Sequence, residues 1–343
     1  MARRTYRGLA VTALQWTVAL AALAWLLTGV DLAEVARLLG GVGPGTLLAL
    51  AAVTAVGLMA RFETWRAVLA PVRPVGVRTS GGLDLVVNFV NQLLPSRLSG
   101  RLAAPFVIRS RTGMAYADAT AVSGVHTGIY AVLYGATAAA GLALAVGRLS
   151  PGLLAVLALS TGLYLAAGAV VLAGGANLPL LDWVLGAVAG GLRRVPRVGP
   201  VLAERLPDVG SFTSDSAATF RELSADPGVW LRYAAGWVVA LVVAPGLRVW
   251  LLRGSFGAGF EPAVFLPLYL VTAYSVTLLP VSPGGIGVTE ATATAVFVAL
   301  GVPGSVIVPV IFVDRVLGVY LPALAGWYPS LGLDLSALGT DGE

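Results

Sequence analysis

The chain has 343 residues, 57% of them hydrophobic and 11% charged, with a mean hydropathy of +0.87. A soluble domain carries about a quarter charged residues, and a soluble chain of this length cannot hide such an apolar surplus in its core. The composition excludes a soluble enzyme, a nucleic-acid-binding module and a disordered scaffold, and leaves a polytopic α-helical membrane protein. A β-barrel alternates apolar and polar residues over short stretches, whereas the apolar runs here are long and unbroken. All 22 basic residues are Arg. They cluster between apolar runs, so the net charge of +5 reads as membrane topology, not as a nucleic-acid footprint. The absence of Cys excludes a disulfide framework, a thiolate zinc site and a Cys nucleophile. The lone His126 excludes multi-histidine metal sites, and no cofactor or metal is expected.

Arg3, Arg4 and Arg7 precede the first apolar run, Leu9–Val30, which is too long for a signal-peptide core and is expected to remain as a first spanning helix. Further spans are expected at Val42–Ala60, Ala119–Gly147 (with His126), within Leu149–Leu181, at Trp230–Leu251 and at Ser305–Tyr328, where Asp314 and Arg315 interrupt the run. The fold class is all-α, with about six full transmembrane helices in one membrane domain covering 1–343.

Two apolar regions are too broken to be simple spans. Gly81–Ile108 contains Asp84, Asn88, Asn91, Gln92, Pro95, Arg97, Gly100 and Arg101; Asp84, Asn88, Asn91 and Pro95 share one face of a helix. Pro262–Gly301 is broken by Pro280, Pro283, Gly284, Gly285 and Gly287, and no helix survives two prolines and three glycines in eight residues. Irregular backbone at membrane depth is tolerated only inside protein or against a water-filled cavity, so both regions are expected to be re-entrant helical hairpins. Arg-rich stretches before the first span, around the first hairpin and in 182–226 set the orientation: N-terminus cytoplasmic, in the cell membrane, with 182–226 an amphipathic cytoplasmic segment.

An internal repeat is visible. Arg61, Trp65 and Arg66 precede the first hairpin, while Arg248, Trp250 and Arg253 precede the second. Each hairpin reaches Leu-Leu-Pro, at Pro95 and at Pro280. The halves, 1–147 and 149–330, would run in opposite directions, and inverted repeats around broken helices point to a transport site at the midplane. Against it, Arg248 and Arg253 would lie on the outer side.

An Arg, Asp or Glu at the bilayer centre costs on the order of 3 kcal/mol on insertion scales, so such residues pair internally or line a cavity. Arg97, Arg101, Glu290, Asp314 and Arg315 are therefore the candidate substrate-binding residues, joined by Asp84, Asn88 and Asn91. Arg97 and Arg101, four residues apart, offer guanidinium groups suited to phosphate; the other reading is that they snorkel to the interface. Glu290 on the first turn of a helix is favoured by the dipole, or pairs with an Arg across the cavity. His126 is expected to bond a neighbouring helix. Gly113, Gly124, Gly128 and Gly135 are expected to mark close helix packing.

The run from Pro280 through Glu290, with Asp314 and Arg315 in the next helix, resembles the C-terminal signature of the lysylphosphatidylglycerol synthase transmembrane-region family, a flippase-like group. The stretch Asn91–Arg97, with Arg109, Arg111 and Gly113, is similar to its other signature, but Ser99-Gly100-Arg101 stands where the family continues Gly-Glu, and Val125-His126 replaces an acidic–Arg pair. The resemblance implies handling of aminoacylated phospholipids or lipid-linked saccharides. No synthase domain is expected after Tyr328, and no Walker motif appears.

These readings lead to a lipid flippase or transporter for an anionic phospholipid or a polyprenyl-phosphate-linked lipid, with no nucleic-acid partner. Two alternatives stand beside it: a membrane-embedded lipid-modifying enzyme using Glu290 or His126, and a non-catalytic partner of a lipid-modifying enzyme.

Overall fold

The computed structural model describes residues 40–93, 97–145, 149–177, 214–256, 286–299 and 301–333, together with residues 17, 37 and 147. The expected first span Leu9–Val30, residues 178–213 of the amphipathic segment, and most of the second hairpin, with Pro280, Pro283, Gly284 and Gly285, lie outside them, as does Pro95. The described residues are almost wholly helical and contain no strand. Among the described residues, five helical runs are long and apolar enough to cross a membrane: Pro44–Leu69, Tyr116–Leu144, Leu157–Ala176, Pro227–Leu252 and Gly304–Ser330. Large apolar side chains point outward from them (Leu48 is 73% exposed, Leu231 74%, Leu324 67%), the surface that lipid requires and water would not tolerate.

Helix α1 (Pro44–Leu69) opens with Pro at its first position, where a missing N–H costs nothing. It outruns the expected Val42–Ala60 span, because Arg61, Glu63 and Arg66 are good helix formers and find side-chain partners within the fold. The break falls only at Pro71. α2 (Val77–Leu93) and α3 (Arg97–Thr112) pack together as a pair of short helices, with Gly100 in the helical backbone of α3. α3 ends at Gly113, whose φ of 66° is the left-handed conformation that glycine alone adopts cheaply; Gly113 is thus a turn residue and not the packing residue expected.

α4 (Tyr116–Ala145) and α5 (Pro151–Ala176) form the most extensive helix pair. A Cβ on Gly135 would lie 2.6 Å from Leu165, and one on Gly128 2.7 Å from Leu172, so here small residues do allow close approach. The amphipathic α6 (Ser214–Ala225) lays Ala217, Phe220 and Leu223 on α4 and α5. Asp226 then caps α7 (Pro227–Val238), its side chain accepting from Gly228 N at 2.7 Å.

Two of the described spans contain a π turn. The first, Val239–Val243, joins α7 to α8 (Ala244–Phe256). Beyond α9 (Val288–Ala299) and α10 (Gly304–Arg315), the second, Val316–Tyr320, leads into α11 (Leu321–Ser330). The sequence explains both. Pro245 and Pro322 follow the turns after one residue, and a proline in a helix withholds an N–H from the carbonyl four residues back and crowds it. Widening the preceding turn to π relieves that crowding. The carbonyls concerned belong to Leu241 and Gly318.

α1 is the hub. Its C-terminal half is buried at Trp65, Ala67, Val68 and Leu69, and it touches α2, α4, α7, α8 and both π turns. α11 lies on α2, close enough that a Cβ on Gly326 would collide with the Leu85 carbonyl.

Candidate functional site

Neighbouring residues on an α-helix point about 100° apart, so Asp314 and Arg315 at the end of α10 engage different partners. Arg248 of α8 donates from Nε to Asp314 Oδ1 at 2.7 Å, and its Nη2 lies 2.6 Å from the same oxygen. Arg315 donates from Nε to Glu290 Oε1 at 2.7 Å. Glu290 sits on the first turn of α9, directly after Gly287 with φ 77°. Tyr320, in the π turn, donates its phenol to the same Glu290 oxygen, and the Arg315 guanidinium stands 5.3 Å from the Tyr320 ring centroid. All four charged groups are buried; Arg315 is 2% exposed.

The first half of the chain reaches the same π turn. Arg61 donates from Nε to Asp84 Oδ2 at 2.7 Å, with Nη2 2.6 Å from that oxygen, and from Nη1 to the Gly318 carbonyl at 3.2 Å. That carbonyl is the one Pro322 deprives of its α-helical donor, so a guanidinium supplies what the proline removed. Asn88 Nδ2 donates to the Val319 carbonyl at 3.2 Å. Gly318 admits Arg248 as well: a Cβ there would lie 2.9 Å from Arg248 Nη2.

Among the described residues, three guanidinium groups and three carboxylates thus surround Val316–Tyr320. Their formal charges cancel. A buried ion pair needs such compensation, because each ion taken singly from water costs several kcal/mol.

Of the residues expected at the site, Glu290, Asp314, Arg315, Asp84 and Asn88 are brought to one turn. Asn91, on α2, is not tied to it, and its Oδ1 is buried without a hydrogen-bond partner among the described residues. The side chains of Arg97 and Arg101 lie outside the described residues, and with them the expected meeting of those guanidiniums with Glu290. Arg61 and Arg248 were not expected at the site. Arg61 is read in sequence as an interfacial loop charge and Arg248 as an outer-side one; instead both lie within helices and pair inside the fold, Arg248 at 4% exposure. Tyr320 was not expected either. The available signal was that Arg61 and Arg248 interrupt apolar helices, each with a distant Asp in another apolar stretch.

His126 bonds a neighbouring helix, as expected. Its Nδ1 lies 3.1 Å from the Tyr233 hydroxyl, and its ring stacks on Trp65 with centroids 3.6 Å apart.

The family of the lysylphosphatidylglycerol synthase TM region matches residues 9–326. The chain belongs to that family. It is a multi-pass membrane protein by that membership and by the five long apolar helices among the described residues. A UPF0104 membrane protein of Pyrococcus horikoshii is 39% identical over 64 residues, which cover 18% of this chain and 19% of the relative. The match therefore spans about a fifth of that relative's length. No solved structure matches the chain.

Proposed function

We propose that the protein moves an anionic lipid, a phospholipid or a polyprenyl-phosphate-linked lipid, across the cell membrane. The observation that carries this reading is the convergence of Arg61–Asp84, Arg248–Asp314 and Arg315–Glu290 on one π turn of a spanning helix. A helical bundle needs no such cluster for stability, since well-packed apolar residues of similar volume serve equally well or better. Buried ionisable groups inside membrane spans mark substrate and ion pathways, and guanidinium groups are the side chains best matched to phosphate. The Pro- and Gly-rich run that precedes Glu290 in the sequence and the repeat read from the sequence would suit alternating exposure of a central site. In this reading the Arg-rich loops and the N-terminus face the cytoplasm.

The test is reconstitution into phosphatidylcholine vesicles with a trace of fluorescent phosphatidylglycerol or polyprenyl phosphate. Leaflet exchange, read by quenching from outside, is expected to exceed that of protein-free vesicles. Equal rates across all lipid classes would remove the proposal.

A further inference from the structure

The charge count around the π turn poses a problem for any anion that enters it. Arg61, Arg248 and Arg315 are already balanced by Asp84, Asp314 and Glu290. A lipid phosphate monoanion seated on one of these guanidiniums adds a net negative charge to a low-dielectric slab, where an uncompensated ion is least tolerated. One bound proton restores neutrality. The three carboxylates are not equally able to take it. Asp84 and Asp314 each face two nitrogens of one guanidinium. Glu290 receives Arg315 Nε and the Tyr320 phenol on the same oxygen, Oε1. Its Oε2 is buried and has no hydrogen-bond partner among the described residues.

We propose that Glu290 is a proton-binding site that makes lipid translocation electroneutral. The phosphate monoanion displaces the Glu290 carboxylate from Arg315, and a proton from the water on the loading side binds Glu290 Oε2. The neutral carboxyl and the phosphate–guanidinium pair then change exposure together. On the far side the phosphate leaves, the proton returns to water, and Glu290 closes again on Arg315. Among the described residues, the charged and titratable groups that face Glu290 are Arg315 and Tyr320 from the last span. Asp314 is held by Arg248, and on α9 itself Thr289 and Thr294 carry buried hydroxyls without partners among the described residues. This inference rests on the transport reading and adds its coupling ion.

The experiment uses the full chain in phosphatidylcholine vesicles containing fluorescent phosphatidylglycerol, with a trapped pH dye and the membrane voltage clamped by potassium and valinomycin. Wild type is expected to carry one proton per lipid, to respond little to voltage, and to reach a leaflet ratio of about tenfold per pH unit, because a tenfold proton ratio balances a tenfold lipid ratio. Glu290→Gln keeps the hydrogen-bonding shape but cannot titrate; its lipid distribution should ignore the pH gradient and follow voltage. If that variant fails to fold, the wild-type proton-to-lipid ratio decides alone. A parallel arm with fluorescent polyprenyl phosphate identifies the lipid class, and fluorescent phosphatidylcholine should show no proton coupling. Phosphatidylglycerol or polyprenyl phosphate that moves with voltage and without protons overturns the proton site and leaves transport standing. No movement of either above protein-free vesicles overturns both.

Discussion

The turns at Val239–Val243 and Val316–Tyr320 each lie one residue short of a proline, yet their surroundings differ. Around the first are small and aromatic side chains. Ala240 and Ala244 are buried against Gly57 of α1, where a Cβ would come within 2.7 Å of Ala244; one to two turns earlier, Trp237 and Tyr233 pack on Tyr130 and His126. Around the second are the three ion pairs. Both surroundings involve one face of one helix: Gly57 and Arg61 are four residues apart on α1, so they share a side of it, the glycine meeting the first turn and the guanidinium the second. A proline-induced break is therefore no site in itself. The residue that the neighbouring helix presents decides whether the loosened backbone is packed dry or given polar partners.

The largest expected effect breaks the charged side of this contrast. Asp314→Leu leaves Arg248 buried without its carboxylate and should destabilise the protein by about 3–5 kcal/mol. Arg248→Met with Asp314→Leu should recover most of that loss, since the pair is replaced by apolar volume. Thermal unfolding in detergent, run as a double-mutant cycle, measures both. A double variant as unstable as the single one would mean that the cluster does not work as mutually compensating pairs.

Proline replacement separates the two turns directly. Pro322→Ala restores an N–H opposite the Gly318 carbonyl and removes the ring that forces the turn to widen, a residue that costs a regular helix interior about 3 kcal/mol. Stability should hold or rise, while tightening of the turn displaces Tyr320 from Glu290 and lipid exchange falls several-fold. Pro245→Ala makes the same backbone change among apolar neighbours and should leave exchange intact. Equal losses in the two variants would show that the break, and not its polar lining, carries the activity.

What could be read from sequence follows from the solvent. Lipid selects long uncharged runs, so the spans among the described residues were legible to within a few residues at most ends, and a carboxylate beside a Pro/Gly break was legible as Glu290. The α1 end was not, because a charge stops an apolar run without stopping a helix. Arg61 and Arg248 escaped for a related reason: at the edge of an apolar run an Arg looks interfacial, and only the packing of α1 on α2 and of α8 on α10 reveals Asp84 and Asp314 as partners. The π turns had a signal in Pro245 and Pro322, but a proline alone does not tell a kink from a π turn. His126 was legible as a helix-to-helix contact, since a lone His in an apolar span must find a partner.

The smallest effect sharpens the dry side of the contrast. The Tyr233 hydroxyl is its ring's one polar atom in a fully buried setting, and it contacts both His126 Nδ1 and the His126 carbonyl, each at 3.1 Å. Tyr233→Phe removes a single buried neutral hydrogen-bonding group and should cost about 1 kcal/mol, a shift of a few degrees in Tm. The ring stays, so its edge-on contact with His126 and the Trp65 stack persist, and lipid exchange should be unchanged. A large loss of exchange with little loss of stability would place the His126 region in the transport path and erase the functional difference between the two turns, because the aromatic side would then be acting on substrate and not only holding α4 against α7.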